Sequence, residues 1–430
     1  MLNLKWYRMN ILIISNIELD IRNASGNTYA NWFTDWENSK IACIYCRDTY
    51  PNNDFCDEYY SISPINIIKN IFRPWKIGKQ FQSTDIQNDF TVGQTERKLV
   101  QHSKNANRGL YYLLNDILFS SKIWINTKYK TFIKEFNPDI VFFFAKSDAF
   151  IYENLMYIKK HTKAKCVAFY ADDVYKRFQL SKGLVFRIFE HRFVKVIKLA
   201  EKHYGASMLM CEDYGNLFKI PISPLYKGCE IEDVSSQTNS PLRIVYAGNL
   251  FYGRAETLSK IALALRIINA NGVKATIEIY TASEITSEID RNLNIPNVSQ
   301  IMGPKSYCDI KEIMKSADFV LHVESFMPEN IESVRLSYST KISDCLQSGS
   351  ALLVVGPRNI ASVEEAILIP GAFVIYDEAN ILDSLNSIIS AKDKLLYMAR
   401  LTNEFAKKKF PISKVRENLC HELTQLIENS

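Results

Sequence analysis

The run Arg335-Leu-Ser-Tyr-Ser-Thr-Lys-Ile-Ser-Asp-Cys-Leu-Gln-Ser-Gly349 carries side chains suited to holding an anion. Ser339 and Thr340 are helix-capping types, so a helix opening there presents unpaired amides and the positive end of its dipole. Lys341 falls in the first turn, where a cation opposes that dipole; a bound phosphate as its partner removes the conflict. Asp344 lies one turn further on the face of Thr340 and Lys341, where a carboxylate can accept hydrogen bonds from ribose hydroxyls. The chemistry that uses both is nucleotide binding.

A second candidate is Val245-Tyr-Ala-Gly-Asn-Leu-Phe-Tyr-Gly-Arg254, the end of a strand and the start of a helix. Gly248, followed by Asn249, lets backbone approach a bulky ligand, and Arg254 opens the helix with a planar cation suited to a diphosphate. The plainer alternative is a strand-helix turn with a solvated arginine. Glu324 ends the strand-like run 319–324 and is either a sugar contact or an ordinary loop carboxylate. His322 in the same run reads as a satisfied core or cleft residue. In Ala168-Phe-Tyr-Ala-Asp-Asp-Val-Tyr175, Asp172 and Asp173 stand at the carboxyl end of a buried strand. Either is placed to face a ligand, and either could instead cap the helix that follows. Neither G-x-G-x-x-G nor G-x-x-x-x-G-K-[ST] occurs, so a nicotinamide enzyme and a P-loop ATPase are not favoured. No Asp-x-Asp occurs, and no histidines are spaced as metal ligands, so no metal is expected.

These residues need a frame that places strand ends together. From residue 242 onward, short Val/Ile-rich runs alternate with helical patterns: 242–248, 275–281, 298–303, 319–324, 351–356 and 372–376 read as strands. Continuous apolar strands of this kind belong in a parallel sheet covered by helices on both faces, a doubly wound domain. The first half repeats the theme, with strands expected at 11–15, 41–45, 59–63, 140–144, 165–170 and 207–211, and helices at 111–136 and 184–204. The stretch 223–241 lacks periodicity and reads as a linker. The expected plan is therefore 1–222 as a first Rossmann-like domain, 242–410 as the second, and 411–430 as a last helix added to the first.

At 430 residues, two domains are expected, and 47% hydrophobic with 23% charged residues excludes a disordered chain. No apolar run approaches the roughly 18 residues that span a bilayer, and the early run Asn10-Ile-Leu-Ile-Ile-Ser15 is too short for a secretion signal. Nine cysteines without a framework imply a reducing compartment, so a cytoplasmic location is expected. Cys43 and Cys46 are spaced C-x-x-C within a strand-like run, which turns them to opposite faces. A net charge of +5 is too small for a dedicated nucleic-acid binder.

The pattern S-T-K-I-x-D-x-L-x-S-G-x-x-L-L-x-x-G-P, starting at Ser339, resembles the donor segment of bacterial GT-B glycosyltransferases close to family four, of the capsule and O-antigen type. The resemblance covers 242–410 and extends loosely to the first half. It implies an α/β GT-B fold, two Rossmann-like domains facing across a cleft with a final helix crossing back. It implies a transferase that moves a sugar from a uridine or guanosine nucleotide-sugar to a glycan or lipid-linked glycan, with retention and without a metal or other cofactor. On that reading Arg254 and Lys341 hold the diphosphate and Asp344 the ribose, with Gly248, Asn249, Ser339 and Thr340 around them. Gly26, Asn27 and Thr28 fall where the family has a glycine-bearing acceptor loop, and Asp172 or Asp173 where it contacts the reacting sugar. One departure is plain: the family's first donor glutamate falls on Leu336. A nucleotide-sugar epimerase on the same plan, or an inactive donor-binding subunit, are the alternatives.

Two segments are basic and aromatic. Residues 59–84 hold Lys69, Arg73, Lys76 and Lys79 among Ile, Phe and Trp and contain no acid, and 184–204 carries an apolar stripe with Arg187, Arg192, Lys195, Lys198 and Lys202 around it. Such segments fit either an interfacial anchor on an anionic membrane or a core-facing helix with a solvated basic face. The first option makes the protein peripheral on the inner face of the cytoplasmic membrane.

Overall fold

The computed structural model describes residues 8–86, 108–176, 184–234, 238–337 and 340–429. Two compact units emerge. The first holds residues up to 205 together with 214–223 and 416–430; the second holds 206–213 and 224–415.

The first unit is built on strands β1 (Asn10–Ser15), β2 (Lys40–Tyr45), β3 (Glu58–Ser61), β4 (Lys79–Gln82), β5 (Ile140–Phe144), β6 (Lys165–Tyr170) and β7 (Lys202–Gly205). With the two-residue β8 (Ser223–Pro224) they form one sheet in the order β4-β3-β2-β1-β5-β6-β7-β8. β1 pairs parallel with β2 and β5, which pair parallel with β3 and β6 in turn. Only the β3–β4 ladder is antiparallel among the registers resolved. Its helices cover both faces, and Tyr29, Trp32 and Phe33 of helix Ala24–Phe33 pack edge-on and stacked against Phe142, Phe144 and Phe169. The last helix, Ile412–Glu428, belongs to this unit from Arg416 onward, where Arg416 Nε donates to the Asn31 carbonyl at 2.8 Å.

The second unit has β9 (Leu242–Ala247), β10 (Ala275–Tyr280), β11 (Ser299–Ile301), β12 (Phe319–Val323), β13 (Ala351–Val355) and β14 (Phe373–Ile375), ordered β11-β10-β9-β12-β13-β14. Every pairing is parallel. All residues of β12 and β13 are buried, as strands covered on both faces require. One core packs on each face, around Leu258, Ile261 and Leu265 on one side and Ile342, Leu346 and Val363 on the other.

Some sequence expectations need correction. Residues 207–211 are not a strand: Ser207 Oγ accepts the Met210 amide at 3.0 Å and caps helix Met208–Phe218. The strand of that region is β7, which takes the end of the expected 184–204 helix; the helix itself stops at Leu199. The expected helix over 111–136 is two helices, Arg108–Ser120 and Thr127–Phe136, because Lys122 is left-handed and Asn126 caps the second through the Tyr129 amide. Residues 224–234 pack into the second unit, where the Cys229 amide donates to the Phe410 carbonyl at 2.7 Å and the Glu232 amide to Gln347.

Candidate functional site

In the second unit the carboxyl end of β9 and helix Thr340–Gln347 bring Lys341 to Gly248. A Cβ added at Gly248 would fall on Lys341 Nζ, so glycine is what makes room for the ammonium. The Nζ lies 5.5 Å from the centre of the Tyr246 ring, a cation–π distance. It is shielded from solvent and has no hydrogen-bond partner among the described residues. Burial, aided by the nearby Arg254 charge, pushes its pKa down from the lysine value of 10.5 to about 8. Among the described residues this ammonium has no hydrogen bond or salt bridge, and it stands in the wall of a pocket that also includes Asp344, Tyr307 and Ala247.

Arg254 is used differently. Only 8% exposed, it is the first residue of helix Arg254–Ile268, after Tyr252 and Gly253 take left-handed backbone. Its Nη2 donates to both carboxylate oxygens of Glu324 at 3.1 and 3.0 Å, Nη1 to Asn249 Oδ1 at 2.9 Å, and Nε to the Val323 carbonyl at 3.3 Å. Glu324 is 2% exposed, and His322 Nε2 stands 3.0 Å from its Oε1, without the alignment of a hydrogen bond. Burial raises the Glu324 carboxyl, but His322 and Arg254 outweigh it and hold the pKa below the ordinary carboxylate value. Burial, opposed in part by the neighbouring Glu324, pushes the His322 imidazole below its ordinary value. The structure thus places Glu324 as the counter-ion of Arg254 rather than as an open sugar contact, and Arg254 as a spent rather than a free diphosphate cation. The reason is distance in sequence: the carboxylate that claims it arrives just past the end of β12.

Asp344 pairs with Lys227 at 3.2 Å, both partly buried. Lys227 comes from the stretch read as a linker, and its ammonium also lies 6.0 Å from the Tyr307 ring. Nothing in the sequence around Tyr226-Lys227-Gly228 marks it. Leu336 is 1% exposed and its carbonyl accepts from Ser207 Oγ, so the position of the family's first glutamate is a packing position here. Ser339 and the Thr340 side chain lie outside the described residues.

The first unit holds the other candidates. Gly26, Asn27 and Thr28 are not in a loop. Asn23 Oδ1 accepts the Gly26 amide at 2.7 Å and caps helix Ala24–Phe33, so all three residues sit in its first turns. A Cβ on Gly26 would collide with the Asp20 carbonyl, which gives this glycine a packing role. Asp173 is buried; its Oδ1 accepts from Tyr214 Oη at 3.0 Å and from the Lys176 amide at 3.1 Å, the capping pattern. Asp172 beside it is exposed. In helix Leu184–Leu199, Phe193, Val196 and Ile197 are core residues, and Arg192 is paired with Asp116. That helix is the core-facing alternative, with Phe186 outside the described side chains. Cys43 is buried in β2 and, like Cys46, is a free thiol.

No protein-family model and no curated protein matches this sequence. Solved structures do match. Sucrose-phosphate synthase from Thermosynechococcus elongatus superposes with a TM-score of 0.60 at 10% identity, covering 98% of this chain and 99% of that one. The Anabaena protein HepE, solved in complex with UDP and glucose, gives 0.58 at 11% identity over 97% of this chain and 100% of that one. The fold is GT-B. A Listeria monocytogenes protein assigned as UDP-N-acetylglucosamine 2-epimerase shares it too, with a TM-score of 0.53 at 10% identity over 99% and 98% of the two chains. In this GT-B chain the ammonium of Lys341, without a hydrogen bond among the described residues, stands at the carboxyl end of the parallel strands of the second unit, where open α/β sheets bind ligands.

Proposed function

We propose that the chain is a glycosyltransferase that moves a sugar from a nucleotide-sugar donor to a glycan or lipid-linked glycan, with the donor held in the second unit. The observation that carries this reading is Lys341: a shielded ammonium with no hydrogen-bond partner among the described residues, beside Gly248 and standing in a pocket wall with Asp344. A diphosphate supplies the missing anion, and in transfer the negative charge that develops on the leaving diphosphate strengthens the same contact. Arg254 contributes as the fixed end of a buried ion pair behind the site. Asp344, paired with Lys227, reaches ribose hydroxyls. In the first unit, Asp172 is the exposed member of the carboxylate pair assigned to the reacting sugar. Retention without a metal, a role in capsule or O-antigen synthesis, and an acceptor presented at an anionic membrane face follow from the resemblance of the 339–357 segment and from the basic 59–84 segment.

UDP and UDP-sugars are the first donors to test, since the HepE structure carries UDP and glucose. Isothermal titration should give UDP binding that Lys341→Ala weakens by roughly tenfold to a hundredfold, the range of a charge-assisted hydrogen bond. Gly248→Ala should weaken it as well, because the new methyl displaces the ammonium. Wild-type affinity in both variants would remove the donor assignment. With a UDP-sugar panel, nucleotide released only when acceptor is present identifies a transferase. Interconversion of the sugar without release identifies an epimerase, and binding without turnover an inactive subunit.

A further inference from the structure

The first unit carries an outward apolar surface that its core does not use. Between helix Pro64–Lys69 and β4 the chain makes a turn and a short 3-10 helix, Pro74–Lys76. Ile67 and Ile77 are fully buried and plug this segment into the unit. Phe72 is 92% exposed, Trp75 60%, Ile68 59% and Ile71 45%. Leu114 and Ile117 of helix Arg108–Ser120, which packs beside helix Pro64–Lys69, are exposed as well.

The segment is not loosely held. Asn126 Nδ2 donates to the Pro74 and Ile77 carbonyls at 2.7 and 2.8 Å, and Asn66 Oδ1 accepts the Gly78 amide at 2.9 Å. Gly78 takes positive φ against the Tyr60 hydroxyl, a position no side chain could share. A backbone fixed this firmly presents its aromatics in one arrangement, which lowers the entropy lost on docking.

Charge selects the partner. Lys69, Arg73 and Lys76 are exposed among these apolar side chains, none pairs with an acid among the described residues, and residues 59–84 contain no Asp or Glu. Asp116 on the neighbouring helix is already committed to Arg192. Interfaces between protein chains are depleted of lysine at their apolar centre, whereas interfacial membrane segments mix aromatics with basic residues.

We propose that residues 64–79 dock onto an anionic membrane surface, with Phe72 and Trp75 inserting at the acyl boundary and Lys69, Arg73 and Lys76 at the headgroups. The inference rests on the lipid-linked acceptor reading for its purpose alone; its observations are independent of the donor pocket.

The test is co-sedimentation of the full chain with vesicles of phosphatidylcholine containing about 30% phosphatidylglycerol, at about 0.05 M salt. Binding should fall at least about tenfold on pure phosphatidylcholine, in Phe72→Ser/Trp75→Ser, and in Lys69→Gln/Arg73→Gln/Lys76→Gln. UDP binding measured on the same samples should be unchanged, because all five residues are exposed and lie in the other unit. It also separates the two readings: vesicle binding without UDP binding strikes the donor site alone. Absence of wild-type binding to the anionic vesicles overturns the proposal, as does either variant binding like wild type. A vesicle-free dimer in light scattering that Phe72→Ser/Trp75→Ser dissolves would assign the surface to a second copy of the chain instead.

Discussion

A shielded ammonium with no hydrogen-bond partner among the described residues is unstable relative to one in water, and Lys341 relieves this by losing its proton readily. Two consequences follow with opposite signs. In the unliganded protein the pKa lies at about 8 in the folded state against 10.5 for an ordinary lysine. Between those values the unfolded chain holds more protons, so this group adds stability as pH rises through the window and removes it as pH falls. Anion binding needs the ammonium, so it runs the other way. UDP affinity should fall by up to about tenfold between pH 7 and pH 9, as Lys341 deprotonates. Calorimetric titration across that range checks it, with Lys341→Gln as the reference whose weaker binding should be flat once the titration of UDP itself is subtracted. The same slope in both proteins would show that some other group sets the pH dependence.

At the scale of elements, helix Arg254–Ile268 is fastened to the end of β12 by one buried ion pair. Breaking such a pair while leaving its partner in place is strongly destabilising. Glu324→Gln should therefore lose on the order of 3 kcal/mol in urea unfolding, with the remaining Arg254 charge shielded and half-satisfied. A midpoint within experimental error of wild type would mean that Asn249 and the Val323 carbonyl suffice for Arg254. This clamp also marks what the sequence does and does not make legible. The alternation of apolar runs and helical patterns predicts the parallel sheet of the second unit strand for strand, because strands buried on both faces leave a continuous pattern. Lys341 is legible for the same local reason, since a lysine in the first turn of a helix is out of place without an anion. The partner of Arg254 is not, because nothing near Glu324 signals which cation will meet it across the sheet. Lys227 is missed likewise: it arrives from a stretch without periodicity. Gly26 is misplaced because a capping asparagine and a glycine in the first turn look like a loop until Asn23 is seen to close on the Gly26 amide. The 207–211 error is of that kind too, a serine cap preceding an apolar run that reads equally well as a strand.

For the whole molecule, the two units each have their own sheet and core, and the proposed donor contacts Lys341, Gly248 and Asp344 all lie in the second. A ligand stabilises only the part of the chain that must be folded to bind it. UDP at about a hundred times its dissociation constant adds roughly 2.7 kcal/mol to the folded state it binds. For a unit of this size that corresponds to a rise of roughly 5–10 °C in midpoint. Scanning calorimetry of the full chain should show that rise in the part of the heat absorption belonging to residues 224–415, assigned by hydrogen exchange near the midpoint. Lys341→Ala, binding roughly tenfold to a hundredfold more weakly, should cut it to about half or less at the same UDP concentration without lowering the unliganded midpoint, because removing a desolvated buried charge relieves the folded state as much as the lost methylenes weaken it. A UDP-induced rise undiminished in Lys341→Ala, or one that protects 8–205 instead, would place the nucleotide elsewhere in the chain. The same scan made with vesicles in place of UDP should protect the opposite unit, so a single method reads the two proposed partners on separate parts of one molecule.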